Sequence, residues 1–84
     1  MKLVYFSWIR ERLDRTEEEV ELPETVATLG DLIAWQKTRG EAFEAVFEHD
    51  RVVRVALDHA HVDDRSEPLE GVREAAFFPP MTGG

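Results

Sequence analysis

Residues 74–84 read Glu-Ala-Ala-Phe-Phe-Pro-Pro-Met-Thr-Gly-Gly, and the rest of the chain can be read outward from them. Glu74 to Phe78 is apolar and aromatic enough for a buried strand. Pro79 and Pro80 stop it, because proline has no N–H to give to a ladder. An apolar anchor, a stiff spacer and an end free of side chains thus follow one another. Glycine lacks Cβ, so Gly83-Gly84 can enter a channel too narrow for a side chain. A C-terminal carboxyl, with a pKa of about 3.5, is ionised at neutral pH, and at Gly84 it is an acyl group awaiting activation. Six residues from Pro79 span roughly 20 Å when extended, far enough to reach the active site of another protein. The prolines reduce the entropy lost on ordering the segment, and such tails are captured through backbone and carboxylate. The expected organisation is a domain over residues 1–78 and a flexible C-terminal tail over 79–84.

Upstream of this arm, Leu3 to Trp8 (Leu-Val-Tyr-Phe-Ser-Trp) has the β-branched and aromatic density of a strand buried on both faces. Ile9 and Leu13 are four apart, which suits a short helix or turn over Ile9 to Asp14. From Glu17 to Leu22, Val20 and Leu22 alternate with Glu19 and Glu21, the period of a half-exposed strand. Its acidic run reads as a solvated face that discourages edge pairing. The two strands form a hairpin with a long connection.

Thr28 stands three residues before Asp31 and can cap a helix over 29–39. Leu29, Leu32, Ile33 and Gln36 form its stripe, Trp35 packs beside them, Lys37 and Arg39 suit its negative end, and Gly40 is a ready C-cap. Gly30 weakens the first turn. Ala42, Phe43, Val46 and Phe47 predict a second short helix over Glu41 to Glu48, broken by His49-Asp50. Arg51 to Asp58 alternates as a strand with Val53, Val55 and Leu57 on one face. A turn at Asp58 to Ala60 leads to a short strand at His61-Val62-Asp63, and Leu69 plugs the core from a loop. The sum is an α+β sheet with a helix across one face, and a right-handed crossover would set the strand after the helix parallel to a neighbour.

The chain has 84 residues, enough for one small domain, and its hydrophobic fraction of 43% supports a packed core. The formal net charge of −8 disfavours nucleic acid and anionic membranes as partners and suits a basic protein partner. There is no cysteine, which removes disulfides, thiolate metal ligands and a cysteine nucleophile. No apolar run reaches the roughly 18 residues of a membrane span, and Met1-Lys2-Leu3 enters a strand without a cleavage-site pattern. The expected location is cytoplasmic. His59 and His61, flanked by Asp58, Asp63 and Asp64, are two apart, but a structural zinc site needs four ligands, so no metal site is expected and the histidines read as exposed loop residues, as does His49. Ser7 and Ser66 lie outside any nucleophile elbow, and no Gly-rich phosphate loop is present. The chain looks poorly equipped for catalysis alone, which leaves the tail.

Ala76-Phe77-Phe78-Pro79-Pro80-Met81-Thr82-Gly83-Gly84 resembles the C-terminus of the small subunit of molybdopterin synthase, the MoaD-like sulfur carriers of the MoaD/ThiS superfamily. Lys2-Leu3-Val4-Tyr5-Phe6 with Ile9-Arg10-Glu11-Arg12-Leu13, the Thr28–Trp35 helix, and Arg54-Val55-Ala56-Leu57-Asp58 before Val62-Asp63 are similar too. The resemblance implies a ubiquitin-like β-grasp fold, a mixed sheet of about four to five strands with one main helix across it and short extra helices. It also implies a carrier cycle. A partner adenylating (E1-like) enzyme uses ATP to convert the Gly84 carboxylate to an acyl adenylate, and a sulfur donor leaves a thiocarboxylate. The tail then enters the large synthase subunit, in a heterotetramer, to donate sulfur to cyclic pyranopterin monophosphate. No cofactor is implied for this chain itself. By this resemblance Gly84 carries the chemistry, Phe77, Phe78, Pro79, Pro80, Met81, Thr82 and Gly83 are the implied partner-binding residues, and Phe77 also helps to anchor the tail's root. The chain departs from the family in Asp58, where asparagine is usual, in Glu70-Gly71-Val72-Arg73, where an Asp-Gly-Asp turn is common, and mildly in Met81-Thr82. The same tail chemistry would serve a sulfur carrier for tRNA thiolation, thiamine or cysteine synthesis, or a ubiquitin-like modifier joining Gly84 to lysine amines.

Overall fold

The computed structural model describes residues 1–49 and 52–80. In chain order the elements are β1 (Lys2–Tyr5), α1 (Ser7–Leu13), β2 (Glu17–Glu19), α2 (Leu29–Lys37), α3 (Glu41–Glu48), β3 (Arg54–Leu57), β4 (Ala60–Val62) and β5 (Glu74–Phe78). The strands form one mixed sheet in the order β2-β1-β5-β3-β4. β1 runs antiparallel to β2, and β3 runs antiparallel to both β4 and β5. The parallel pair joins the first and last strands, with Tyr5 opposite Phe77. This corrects the expectation of a parallel partner for β3. The crossover through the helices returns the chain to the sheet two places from β1, and β5 fills the gap between them.

The period-2 pattern decides which face is core. Leu3 and Tyr5 of β1, Val55 and Leu57 of β3, and Ala75 and Phe77 of β5 are buried, and they join Ile9, Leu13, Leu29, Leu32, Ile33, Phe43, Val46 and Phe47 in one cluster. Phe77 sits at its centre, wholly buried, stacked on Tyr5 at 5.8 Å and edge-on to Phe47 at 5.0 Å between ring centroids. Leu69 closes the cluster from its loop, as its isolated apolar position suggested. Burial of β1 alternates instead of covering both faces, and the strand ends at Tyr5. Ser7 and Trp8, expected in the strand, belong to α1, because Ser7 adopts φ 56° and turns the chain out of the sheet.

α2 begins on the expected cap. Thr28 Oγ1 accepts from the Asp31 N–H at 3.2 Å, and Asp31 Oδ2 accepts from the Thr28 N–H at 3.1 Å, a reciprocal capping box. Gly30 has a packing reason. Its N–H donates to the Arg65 carbonyl at 2.8 Å, and a Cβ there would meet the same oxygen at 3.1 Å. The C-terminal end differs from the expectation. The helix stops at Lys37 with Thr38 as its C-cap, and Gly40, at φ 139°, is the N-cap of α3.

The cause lies in Arg39, which leaves the helix to reach Glu18. Its Nη1 and Nη2 donate to the two carboxylate oxygens at 2.8 and 2.7 Å. Tyr5 Oη donates to Glu18 Oε2 at 2.7 Å, and the fully buried Gln36 donates through Nε2 to Tyr5 Oη at 3.0 Å and accepts from Arg39 Nη1 at 2.8 Å. The Arg39 guanidinium also lies over the rings of Phe43 and Trp35, at 4.3 and 4.8 Å. The solvated acidic run therefore contains one residue that is not solvated. β2 is three residues long, and Glu18, opposite Leu3, points to the core side while Glu17 and Glu19 face water.

The Arg39 guanidinium, aided by the Tyr5 hydroxyl, holds the Glu18 carboxyl well below the ordinary glutamate value of 4.5, at about 2, against the opposing effect of burial. Burial, then the bond to Glu18, pushes the Tyr5 phenol up. Because the folded value of Glu18 lies below the unfolded one, its contribution is whole above the unfolded value and is lost as pH falls from about 4.5 towards 2. Glu18→Gln is expected to cost roughly 1–3 kcal/mol at pH 7. Denaturant melts at pH 7 and at pH 3 should show the gap to the unaltered protein narrowing at the lower pH.

Candidate functional site

Among the described residues no helix covers the other face of the sheet. Lys2 and Val4 of β1, Ala56 of β3, and Glu74, Ala76 and Phe78 of β5 point there, and Phe6, just past β1, stands 47% exposed. Together with Ser7, Glu17, His59, Pro79 and Pro80 they line an open concavity of about 720 Å³. Its floor is apolar: Val4, Phe6, Ala56, Ala76, Phe78 and the two prolines. Its rim is charged. Lys2 Nζ lies 2.9 Å from Glu17 Oε2 and 3.9 Å from Glu74 Oε1, and the bond to Glu17 pushes the lysine's pKa up. An apolar floor inside a charged rim is the anatomy of a protein-docking surface.

β5 carries Phe78, Pro79 and Pro80 onto this face. The two phenylalanines divide by strand parity, Phe77 inward and Phe78 outward. Phe77, implied as a partner-binding residue, is wholly buried and cannot touch a partner; it fastens the root of the tail. Its carbonyl also accepts from the Phe6 N–H at 3.1 Å, which sets Phe6 beside the point where the chain leaves the sheet. Phe78, Pro79 and Pro80 are half-buried at the concavity, and the Phe78 ring lies 6.0 Å from that of His61. Met81, Thr82, Gly83 and Gly84 lie outside the described residues.

Val4, Phe6, Ala56 and Ala76 are site residues that the linear reading did not single out. The signal was present, since apolar residues stand at both parities of β1 and β5, and over Leu3 to Trp8 it reads as a strand buried on both faces. Phe6→Ser should weaken binding of a tail-receiving partner by about tenfold or more while moving the melting temperature little, which titration calorimetry and a thermal melt would check together.

The departures at the loops have local explanations. Asp58, where asparagine is usual in the resembling family, accepts through Oδ1 from the Arg73 and Glu74 N–H groups, both at 3.0 Å. An asparagine oxygen would do the same. Gly71 sits at φ 79° and supplies the turn before β5 from its shifted place. His61 Nε2 lies 3.1 Å from Asp63 Oδ1 and His59 Nδ1 lies 3.7 Å from Glu74 Oε2. Among the described residues no three His, Asp or Glu side chains converge as metal ligands. None of the described helices is long and apolar enough to cross a membrane.

A five-stranded mixed sheet, closed by a parallel pairing of its first and last strands and backed by a helix, is a β-grasp arrangement. The model of the ThiS family matches residues 3–84. The chain belongs to the ThiS family. Its fold is that of the ThiS/MoaD-like sulfur carriers in the MoaD/ThiS ubiquitin-like superfamily, and carriers of this type work with partner proteins. SAMP1 from Haloferax volcanii is similar in structure at a TM-score of 0.76 and 25% sequence identity, covering 100% of this chain and 98% of that one. A protein of Pyrococcus furiosus described as a candidate molybdopterin converting factor, subunit 1, superposes at a TM-score of 0.71 with 28% identity, covering 95% of each chain. No curated protein matches the chain.

Proposed function

We propose that this ThiS-family chain is the sulfur-carrying small subunit of molybdopterin synthase. The observation that carries the reading is the exit of β5 onto an apolar, charge-rimmed sheet face, with Phe78-Pro79-Pro80 forming part of that face and Met81-Thr82-Gly83-Gly84 following it. The likeness to the Pyrococcus furiosus molybdopterin converting factor subunit favours the molybdopterin pathway over other sulfur acceptors.

The work divides between partners. Activation of the Gly84 carboxylate falls to an adenylating enzyme. That enzyme joins the Gly84 carboxylate to the α-phosphate of ATP and releases pyrophosphate. A sulfur donor then displaces AMP, leaving a thiocarboxylate on Gly84. The sheet face docks on the large synthase subunit, and the tail delivers the sulfur to cyclic pyranopterin monophosphate. Phe77 gives the arm a fixed root and Pro79-Pro80 limit its freedom. Docking on a preformed surface turns sulfur transfer from an encounter of two solutes into a tethered step.

Intact mass measurement tests the reading. After incubation with the adenylating enzyme, ATP and a sulfur donor, the chain is expected to exchange one oxygen for sulfur at Gly84, and mixing with the large subunit and cyclic pyranopterin monophosphate should return it to the carboxylate as molybdopterin forms. A thiocarboxylate that survives this mixture would move the chain to another sulfur pathway. Conjugates of higher mass on a blot of cell lysate, with no thiocarboxylate, would replace the carrier reading with that of a modifier.

A further inference from the structure

Four of the described residues other than glycine have a positive φ: Ser7 at 56°, Asp14 at 53°, Asp58 at 48° and His59 at 72°. An L side chain in this region crowds its own backbone, and glycine is the residue that sits there without strain. Two of the four are repaid within the fold. Asp14 ends α1, where its N–H donates to the carbonyls of Arg10 and Glu11. Asp58 ties the turn to the start of β5 through its two bonds to the Arg73 and Glu74 N–H groups.

The side chains of Ser7 and His59 make no such bond, although both angles turn the chain. The Ser7 hydroxyl makes no hydrogen bond among the described residues. The His59 side chain is 86% exposed, and its Nδ1 stands 3.7 Å from Glu74 Oε2, beyond hydrogen-bond reach. Yet both residues line the same concavity on the helix-free face. Strain held without a structural gain tends to gather at functional sites.

The turn makes the case sharper for His59. The pairing of Leu57 with Ala60 leaves a two-residue loop, Asp58-His59, with positive φ at both positions, which is a type I′ hairpin turn. Such turns favour Asn-Gly or Asp-Gly. Aspartate is present at the first place, and histidine stands at the second, where glycine would fold best. We propose that His59 is a specificity-determining contact for the protein partner that receives the tail, and that the turn carries an imidazole at the expense of stability for that contact. Nδ1 is the nitrogen on the Glu74 side, so Nε2 is left to bond a polar group on the partner. The inference rests on the docking face serving the large synthase subunit.

Two variants of the full-length chain test it, each read by thermal melting and by titration calorimetry against the large subunit. His59→Gly relieves the backbone and removes the ring. Its melting temperature should rise by about 4–8 °C while its Kd weakens by about tenfold. His59→Ala removes the ring but keeps a Cβ in the left-handed region, so it should lose the same affinity without the gain in melting temperature. Wild-type affinity in either variant overturns the proposal, since the imidazole would then contribute nothing to docking. An unchanged melting temperature in His59→Gly also overturns it, because no strain would have been held. Should the unaltered chain not bind the large subunit, the functional reading fails, and the same three proteins titrated against the adenylating enzyme decide whether His59 is a docking contact.

Discussion

Removing Gly84 is expected to abolish sulfur transfer outright and to leave the melting temperature of the protein where it was. The reason is chemical. In the proposed cycle the acyl group to be activated is the Gly84 carboxylate, and a chain ending at Gly83 would present its carboxylate one residue, roughly 3.5 Å, short of the place where the partner would act on it. A displacement of about 1 Å in a reacting group can cost a hundredfold in rate, so the truncated chain should show no thiocarboxylate by mass. Extending the chain with a C-terminal tag should have the same effect, since it turns the reactive carboxyl into an internal amide. Among the described residues the last one in the core cluster is Phe77, so neither change alters that cluster and a thermal melt should not register it. A truncated chain that still restores molybdopterin synthesis in cells would refute the carrier assignment of Gly84.

Phe77→Ala should act in the opposite way. This ring is wholly buried, stacked on Tyr5 and edge-on to Phe47, and β5 is bonded on both sides, to β1 and to β3. Neither strand can close over the space left by a missing ring without breaking its register. A cost of about 3–5 kcal/mol is therefore expected. That is a large share of the stability of a domain of 84 residues, and the fall in melting temperature should be about 4–8 °C for each kcal/mol. The affinity of whatever fraction remains folded should change little, because Phe77 does not reach the docking face. Phe78→Ala is the useful comparison: one residue further along the strand, half-exposed at the concavity, it should weaken docking more than stability.

Much of the local structure was legible because it rests on short-range physics. The Thr28–Asp31 capping box, the helix at Glu41 to Glu48, the alternation of Val53, Val55 and Leu57 and the end of β5 before Pro79 depend on neighbours a few residues away, and the structure shows each of them. The misreadings share one cause, a partner distant in the chain. Glu18 looked like any other glutamate in its run until Arg39, 21 residues later, came to meet it. Gly40 looked like the C-cap of α2 until Arg39 was drawn out of the helix to make that contact. Trp8 looked like strand because its neighbours were aromatic, and Ser7 broke the strand with a backbone angle that no propensity for serine announces.

The functional site divides along the same line. By itself the sequence determined that the chain carries an apolar strand stopped by two prolines and followed by a side-chain-free end, because these are properties of consecutive residues. It determined the family as well, since the matching motifs are linear. Only the tertiary structure decided what stands beside that arm. Strand parity turned Phe77 into the core and Phe78 outward, and the parallel pairing of β5 with β1 put Phe6 and Val4 next to the tail's root. The hairpin from β3 to β4 then set a strained His59 on the rim of the same concavity. Side chains from three strands share a face only after the register of the sheet is fixed, and that register follows from which residues the helices can bury, a property of the packed molecule and not of any one segment of the chain.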